Sequence, residues 1–358
     1  PERVDSLREV EKLPTIDAEA IQEEGHRMLC VSQSEIDRIL TVESSGTTGK
    51  AKRLYFTGED MESTLAFFAR GFLELIAPED VVLVLLPCFR EYSVGTLICK
   101  ALARVSARAI PCGPFAAFEE LCETIVREGV NCVAGLPFQI LSLARYSRAR
   151  GYDIQMKSLL VSGDYLPEFV FPELRRLWRC QPFNHYGLAE SGLGLALECG
   201  VHNGMHLREK DIYVEILDER GGRVPDGTWG EMTLTTLNRR GMPLIRYRTG
   251  DEARILQGPC PCGSILKRMD QVSGRIRELS KTLSIHMVDE ALFPLSTDII
   301  DLAAGFREGK LDVTLMTMEP DGALKEAVLQ KFPDAAVGFS SALNRKFVCP
   351  GKRAFLSL

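Results

Sequence analysis

The chain has 358 residues, 45% of them apolar and 26% charged, with a net charge of −6. That length predicts two domains, and the acidic balance argues against a nucleic-acid binder. No apolar run approaches the ~20 residues of a membrane helix, the first residues lack the apolar core of a signal peptide, and eleven scattered cysteines predict reduced thiols in the cytoplasm.

Apolar spacing predicts helices over 16–29 and 34–40, then a loop of small hydroxyl residues over 44–49. Helices predicted over 61–76, 94–105, 118–128, 139–150 and 169–178 then alternate with short apolar strands over 81–86, 107–111, 131–134 and 158–161. This rhythm predicts a parallel sheet covered by helices. After residue 205 the texture changes. Segments 212–217, 231–237 and 251–255 read as strands, separated by the turn sequences Glu219-Arg220-Gly221-Gly222 and Pro225-Asp226-Gly227. They predict a small antiparallel sheet or barrel. From about Arg275, a strand over 311–316 and a helix over 323–332 predict a small α+β unit. The expected class is α/β: a large region of helix-covered sheets over 1–274, β-rich over 205–274, then a small α+β domain over 275–358.

Three segments carry chemistry. Ser44-Ser45-Gly46-Thr47-Thr48-Gly49-Lys50 offers hydroxyls, free N–H groups and two glycines that allow close backbone approach, a set suited to phosphate oxygens. It is not the P-loop of common NTPases, which has four residues between its glycines and Ser or Thr after the Lys. Asn184-His185-Tyr186-Gly187-Leu188-Ala189-Glu190 sets an aromatic ring near a carboxylate, which can stack on a base and hold a magnesium ion. Ile245-Arg246-Tyr247-Arg248-Thr249-Gly250-Asp251 ends on a carboxylate after a glycine turn, able to accept hydrogen bonds from a ribose diol. Taken singly, these read equally well as a polar loop, a strand end with a buried tyrosine and a hairpin with a surface ion pair.

In this order the three resemble the core motifs of the adenylate-forming superfamily of acyl-CoA synthetases, nonribosomal adenylation domains and luciferases. Ala189 stands where that family usually has Ser or Thr. The resemblance narrows to the phenylacetate–CoA ligase-like branch through Glu198-Cys199, Pro243 to Asp251, Cys260-Pro261-Cys262-Gly263 and Gly274-Arg275. It implies ATP-dependent activation of a carboxylic acid to acyl-AMP, with release of pyrophosphate and transfer of the acyl group to coenzyme A. It further implies that Ser44 to Lys50 hold phosphates, that Tyr186 and Gly187 meet adenine, that Glu190 ligates Mg²⁺, and that Asp251 binds the ribose with Arg275 beside it at a hinge. Lys352, in Pro350-Gly351-Lys352-Arg353, matches the lysine that bridges carboxylate and α-phosphate. At the hinge, Arg275-Ile276-Arg277 lacks the acidic residue usual after Gly-Arg.

The same resemblance implies a structural zinc ion. Cys199, His206, Cys260 and Cys262 form a Cys₃His set, common in closed tetrahedral shells. His202 is a rival imidazole, and Gly204-Met205-His206 matches the branch's Gly-x-His better. Phe89, Tyr92, Phe138 and Tyr165 are candidates for an acid pocket, although aromatic residues in α/β domains are more often core. Two other readings stay open: delivery of the acyl group to a protein or carrier thiol, and a nucleotide-binding pseudoenzyme acting as a sensor. No nucleic-acid or membrane partner is expected, and a homodimer stays open.

Overall fold

The computed structural model describes residues 6–42, 51–114, 116–276, 283–342 and 352–357. The chain forms two compact units, Pro1–Glu74 with Asn184–Ser280, and Leu75–Phe183 with Lys281–Leu358.

In the first unit, the strand Arg38–Val42 pairs antiparallel with Lys52–Phe56, Val42 facing Lys52. A helix is predicted over 34–40, yet helical turns stop at Gln33–Glu35. From Arg38 onward, residues alternate between half-buried and exposed, which is the period of a strand. Thr57 and Asp60 cap each other and start the helix Gly58–Phe72. That helix buries Met61, Leu65, Phe68 and Phe72 at intervals of three and four residues, so one face meets the interior. Strands Ile212–Leu217, Gly230–Thr236, Tyr247–Ala253 and Gly274–Arg275 form an antiparallel sheet, where the turn sequences predict β structure. Arg268–Met269, Met205–Leu207 and Ala196–Glu198 pair in series, the last with His185 and Tyr186.

In the second unit, parallel strands lie in the order Ser158–Ser162, Cys132–Gly135, Val81–Val84, Arg108–Pro111. Helices Val94–Arg104, Phe118–Glu128, Pro137–Ala149 and Val170–Trp178 alternate with them, as the apolar rhythm predicts. The helix Pro137–Ala149 is buried from Pro137 through Ser147, so it runs inside the unit. A second sheet has the order Ala336–Ser341, Lys310–Thr317, Asp301–Arg307, Leu356–Ser357. One apolar core joins the two parts of this unit and includes Leu83, Val133, Ile140, Phe293, Val313 and Leu315. Arg145 lies within it and is fully satisfied: it makes two bonds to the Glu173 carboxylate, at 2.9 and 2.7 Å, and donates to the carbonyls of Phe293 at 3.0 Å and Ile299 at 2.6 Å. Among the described residues, no helix is long and apolar enough to cross a membrane.

Candidate active site

Tyr186 ends its strand, and the chain then turns tightly. A Cβ on Gly187 would lie 2.2 Å from the carbonyl oxygen of Leu193, so the position accepts only glycine without a backbone shift. The next turn, Ala189–Ser191, carries Glu190, which is 3% exposed. Its carboxylate is ion-paired with Lys52 and accepts a hydrogen bond from the Tyr247 hydroxyl at 2.7 Å. Lys52 also donates to the Tyr247 oxygen at 3.2 Å, and Arg239 donates to the Glu190 main-chain carbonyl at 2.6 Å. Burial alone would push the Glu190 carboxyl up. The charge of Lys52 and hydrogen bonds from Lys52 and Tyr247 outweigh it, and the net shift is downward.

Asp251 lies on the strand Tyr247–Ala253 and faces Arg275 across the sheet. The Tyr186 hydroxyl donates to its Oδ2, and Arg275 Nε donates to its Oδ1 at 3.0 Å. Gly250, at φ 75°, supplies the left-handed turn that aims this carboxylate. Tyr186 is pushed well above the usual phenol range, first by burial and then by the Asp251 charge. Burial would lower Arg275, but the Asp251 carboxylate reverses that and holds it up. The fixed acceptor beside an aromatic ring has the chemistry to take a nucleoside.

Sequence reasoning missed Lys52, Tyr247 and Arg239 as members of this cluster. Tyr247 sits within a quoted motif, and Lys52 follows the hydroxyl loop by two positions. A lysine so near a hydroxyl-rich, glycine-containing sequence was the available signal. Ser44, Ser45, Gly46, Thr47, Thr48, Gly49 and Lys50 lie outside the described residues.

The other candidates lie in the second unit. Tyr92 adopts φ 57°, with Lys100 Nζ 5.2 Å from its ring centre. Phe138 is 2% exposed and packs on Phe293, ring centres 4.8 Å apart. The Tyr165 hydroxyl donates to Glu290, and its ring lies 4.5 Å from that of His286. Lys352 is exposed, directly before Arg353. The Arg353 side chain is deeply buried, bonding Asp289 at 3.0 Å and Asp301 at 3.2 Å, while its main-chain N–H donates to Asp164 at 2.6 Å.

The ligand atoms of Cys199, His206, Cys260 and Cys262 all lie within 4.8 Å of one another. Cys199 Sγ and Cys260 Sγ are 3.8 Å apart, and Cys262 Sγ is 3.3 Å from His206 Nε2. A tetrahedron with Zn–S bonds of about 2.3 Å has sulfur atoms ~3.8 Å apart, so these spacings fit a zinc ion. His206 Nδ1 faces the Leu266 carbonyl at 3.4 Å, which leaves Nε2 free to ligate. His202, the rival imidazole, instead faces the Glu198 carboxylate at 3.4 Å. Arg268 ties the two segments together through the carbonyls of Asn203 at 2.6 Å and Gly258 at 3.1 Å. Burial pushes the Cys199 thiol up to about 11, so a cation is needed to hold it as thiolate at neutral pH.

Residues 11–238 match the family of AMP-binding enzymes, and the chain belongs to that family. Its relatives put it in the phenylacetate–CoA ligase-like branch. The phenylacetate–coenzyme A ligase of Thermus thermophilus is 23% identical over 82% of this chain and 67% of its own length. That of Escherichia coli is 29% identical over 65% of this chain and 54% of its own length. The chain thus spans between about half and two thirds of the length of these curated relatives. A crystal structure of 2-hydroxyisobutyryl-CoA ligase in complex with 2-HIB-AMP, in the postadenylation state, has the same fold. It gives a TM-score of 0.76 at 21% identity, covering 98% of this chain and 82% of that one.

Proposed function

We propose that the chain activates a carboxylic acid with ATP, releasing pyrophosphate and forming an acyl-AMP, and then passes the acyl group to the thiol of coenzyme A. The observation that carries this reading is the cluster of Tyr186, Asp251 and Arg275 together with the buried Glu190–Lys52 pair, to which Tyr247 on the strand of Asp251 donates. Relatives named as phenylacetate–coenzyme A ligases favour coenzyme A over a carrier thiol as acceptor. In the first step a carboxylate oxygen attacks the α-phosphorus as pyrophosphate leaves. Both reactants are anions, so fixed donors and positive charge must meet the charge that builds up. On this reading Asp251 and Tyr186 hold ribose and adenine, and Ser44 to Lys50 hold the β- and γ-phosphates. Lys352 neutralises the approaching oxygens. Glu190, which is ion-paired with Lys52 here, would hold a Mg²⁺ ion, and that ion would supply further charge neutralisation. Positioning is the main contribution, because no side chain forms a covalent intermediate.

Residues 275–358 are proposed as the small second domain of the family. Their own α+β sheet and the exposure of Lys352 support that reading. A zinc ion at Cys199, His206, Cys260 and Cys262 is proposed as structural, since four protein ligands leave no open position. The acid itself is read as aryl, from Tyr92 and Tyr165 among the candidate pocket residues; Phe138 belongs to the apolar core with Phe293 instead. ATP–pyrophosphate exchange across a panel of aryl and short aliphatic acids tests the reading. Exchange that depends on one class of acid supports it, and no acid-dependent exchange from any of them overturns it.

A further inference from the structure

In the second unit, the parallel strand Ser158–Ser162 runs into a turn at Gly163, which has φ 90°. The turn sets Asp164 just past the C-terminal end of the strand, the end at which open α/β sheets bind their ligands. Asp164 Oδ1 accepts the N–H of the next residue, Tyr165, at 2.9 Å. The carboxylate is thus held by its own turn, and Oδ2 is presented as a fixed acceptor. It takes the main-chain N–H of Arg353 at 2.6 Å, from 189 residues further along the chain.

The two anchors of Arg353 do different things. Its guanidinium bonds Asp289 at 3.0 Å, Asp301 at 3.2 Å and the Leu302 carbonyl at 2.8 Å, and lies 4.9 Å from the ring centre of Phe138. Those contacts hold the segment to the unit, but a side-chain anchor leaves the backbone free to turn about it. The bond to Asp164 removes that freedom. The N–H of Arg353 lies in the rigid peptide plane that also contains the Cα of Lys352. Fixing this plane therefore fixes where the Lys352 side chain leaves the backbone. Lys352 itself is exposed, on a flexible stem that loses rotamer freedom wherever its ammonium is held.

We propose that Asp164 is a positioning residue for acyl-AMP formation, aiming Lys352 by fixing the peptide plane between Lys352 and Arg353. This rests on the reading above that Lys352 neutralises the approaching oxygens. Asp164 acts through that lysine and meets no reacting atom itself. With the backbone already set, fewer degrees of freedom are left to lose when the ammonium meets the two anions, which is the entropic part of catalysis by positioning. A merely structural role differs in its consequence: the bond would then stabilise the segment whether or not a lysine stands at position 352.

The test is a double-mutant cycle of Asp164→Ala and Lys352→Ala, read by ATP–pyrophosphate exchange with an acid that supports exchange in wild type. Asp164→Ala alone is expected to lower the rate at saturating ATP by about tenfold to a hundredfold, with KM for ATP unchanged. In the Lys352→Ala background it is expected to cost nothing further, because the group it aims is gone. Melting curves establish that each variant is folded. Asp164→Asn, which keeps the shape and one oxygen, enters the same cycle if Asp164→Ala does not fold. Wild-type exchange in Asp164→Ala overturns the proposal, and so does the same fold-loss in both backgrounds, since Asp164 then acts without the lysine. Either result leaves the role of Lys352 standing if Lys352→Ala is slow. Wild-type exchange in Lys352→Ala instead overturns the reading of the lysine, and the proposal with it.

Discussion

In the first unit each buried carboxylate of the candidate site has its own cation: Glu190 has Lys52, and Asp251 has Arg275. In the second unit one guanidinium, Arg353, serves both Asp289 and Asp301, and Asp164 caps its main-chain N–H. The outcome for the acids is opposite. Glu190 is held below the usual carboxylate range. Asp289 is pushed up to about 6, first by burial, which Arg353 only partly offsets, with Asp301 and Asp164 adding repulsion. One cation per carboxylate keeps a buried acid ionised, and a shared cation leaves it close to taking a proton.

The metal cluster extends the comparison, because three thiols there have no protein cation among the four proposed ligands. Structural zinc contributes on the order of 10 kcal/mol of binding free energy in isolated zinc-finger peptides. Elemental analysis of protein purified without added metal is expected to find about one zinc per chain. Cys260→Ser with Cys262→Ser is expected to lose the metal and melt well below wild type. A metal-free wild type of normal thermal stability would remove zinc from the account.

Removing a cation from either pair leaves an uncompensated buried charge, at a cost of about 3–5 kcal/mol. Arg353→Met strands two carboxylates and Lys52→Met one, so urea unfolding is expected to give the larger loss for Arg353→Met. Equal losses would break the comparison. A pH series sharpens it. The folded-state pKa of Asp289 lies above the unfolded value of 3.8. The folded chain therefore keeps this proton longer as pH rises. The contribution of this group to stability is fully present below about pH 4, is lost between about pH 4 and 6, and stays lost above, a change of about 3 kcal/mol. Asp289→Asn cannot titrate. Subtracting its melting curves from those of wild type is expected to expose this slope, and parallel curves would refute it.

These acids show which features were legible in the sequence. The alternating strands and helices of residues 81–178 were, because each repeats a local period over a short run. The motif residues Tyr186, Glu190 and Asp251 were, because their neighbours carry the pattern. Arg353 was not: Asp164, Asp289 and Asp301 are between 52 and 189 residues away along the chain, and no local period encodes such a meeting. Lys52 was missed for the same reason, since Glu190 lies 138 residues further on. The strand Arg38–Val42 was read as a helix because its partner, Lys52–Phe56, lies beyond the hydroxyl loop.

The buried bonds of Arg353 anchor the backbone directly beside exposed Lys352. On the proposed reading, Lys352→Ala is expected to slow acyl-AMP formation by ~10² or more, with nucleotide affinity and melting temperature unchanged. Pyrophosphate exchange at the wild-type rate would take Lys352 out of the mechanism.

The central claim is that Asp251, held between Tyr186 and Arg275, receives the ribose of the nucleotide. Calorimetric titration of AMP into wild type and Asp251→Ala tests it most directly, with melting curves to confirm that the variant is folded. Loss of a charged acceptor is expected to weaken AMP by about tenfold to a hundredfold, and ATP by the same factor, since the ribose is common to both. Wild-type affinity for AMP in folded Asp251→Ala would contradict the account.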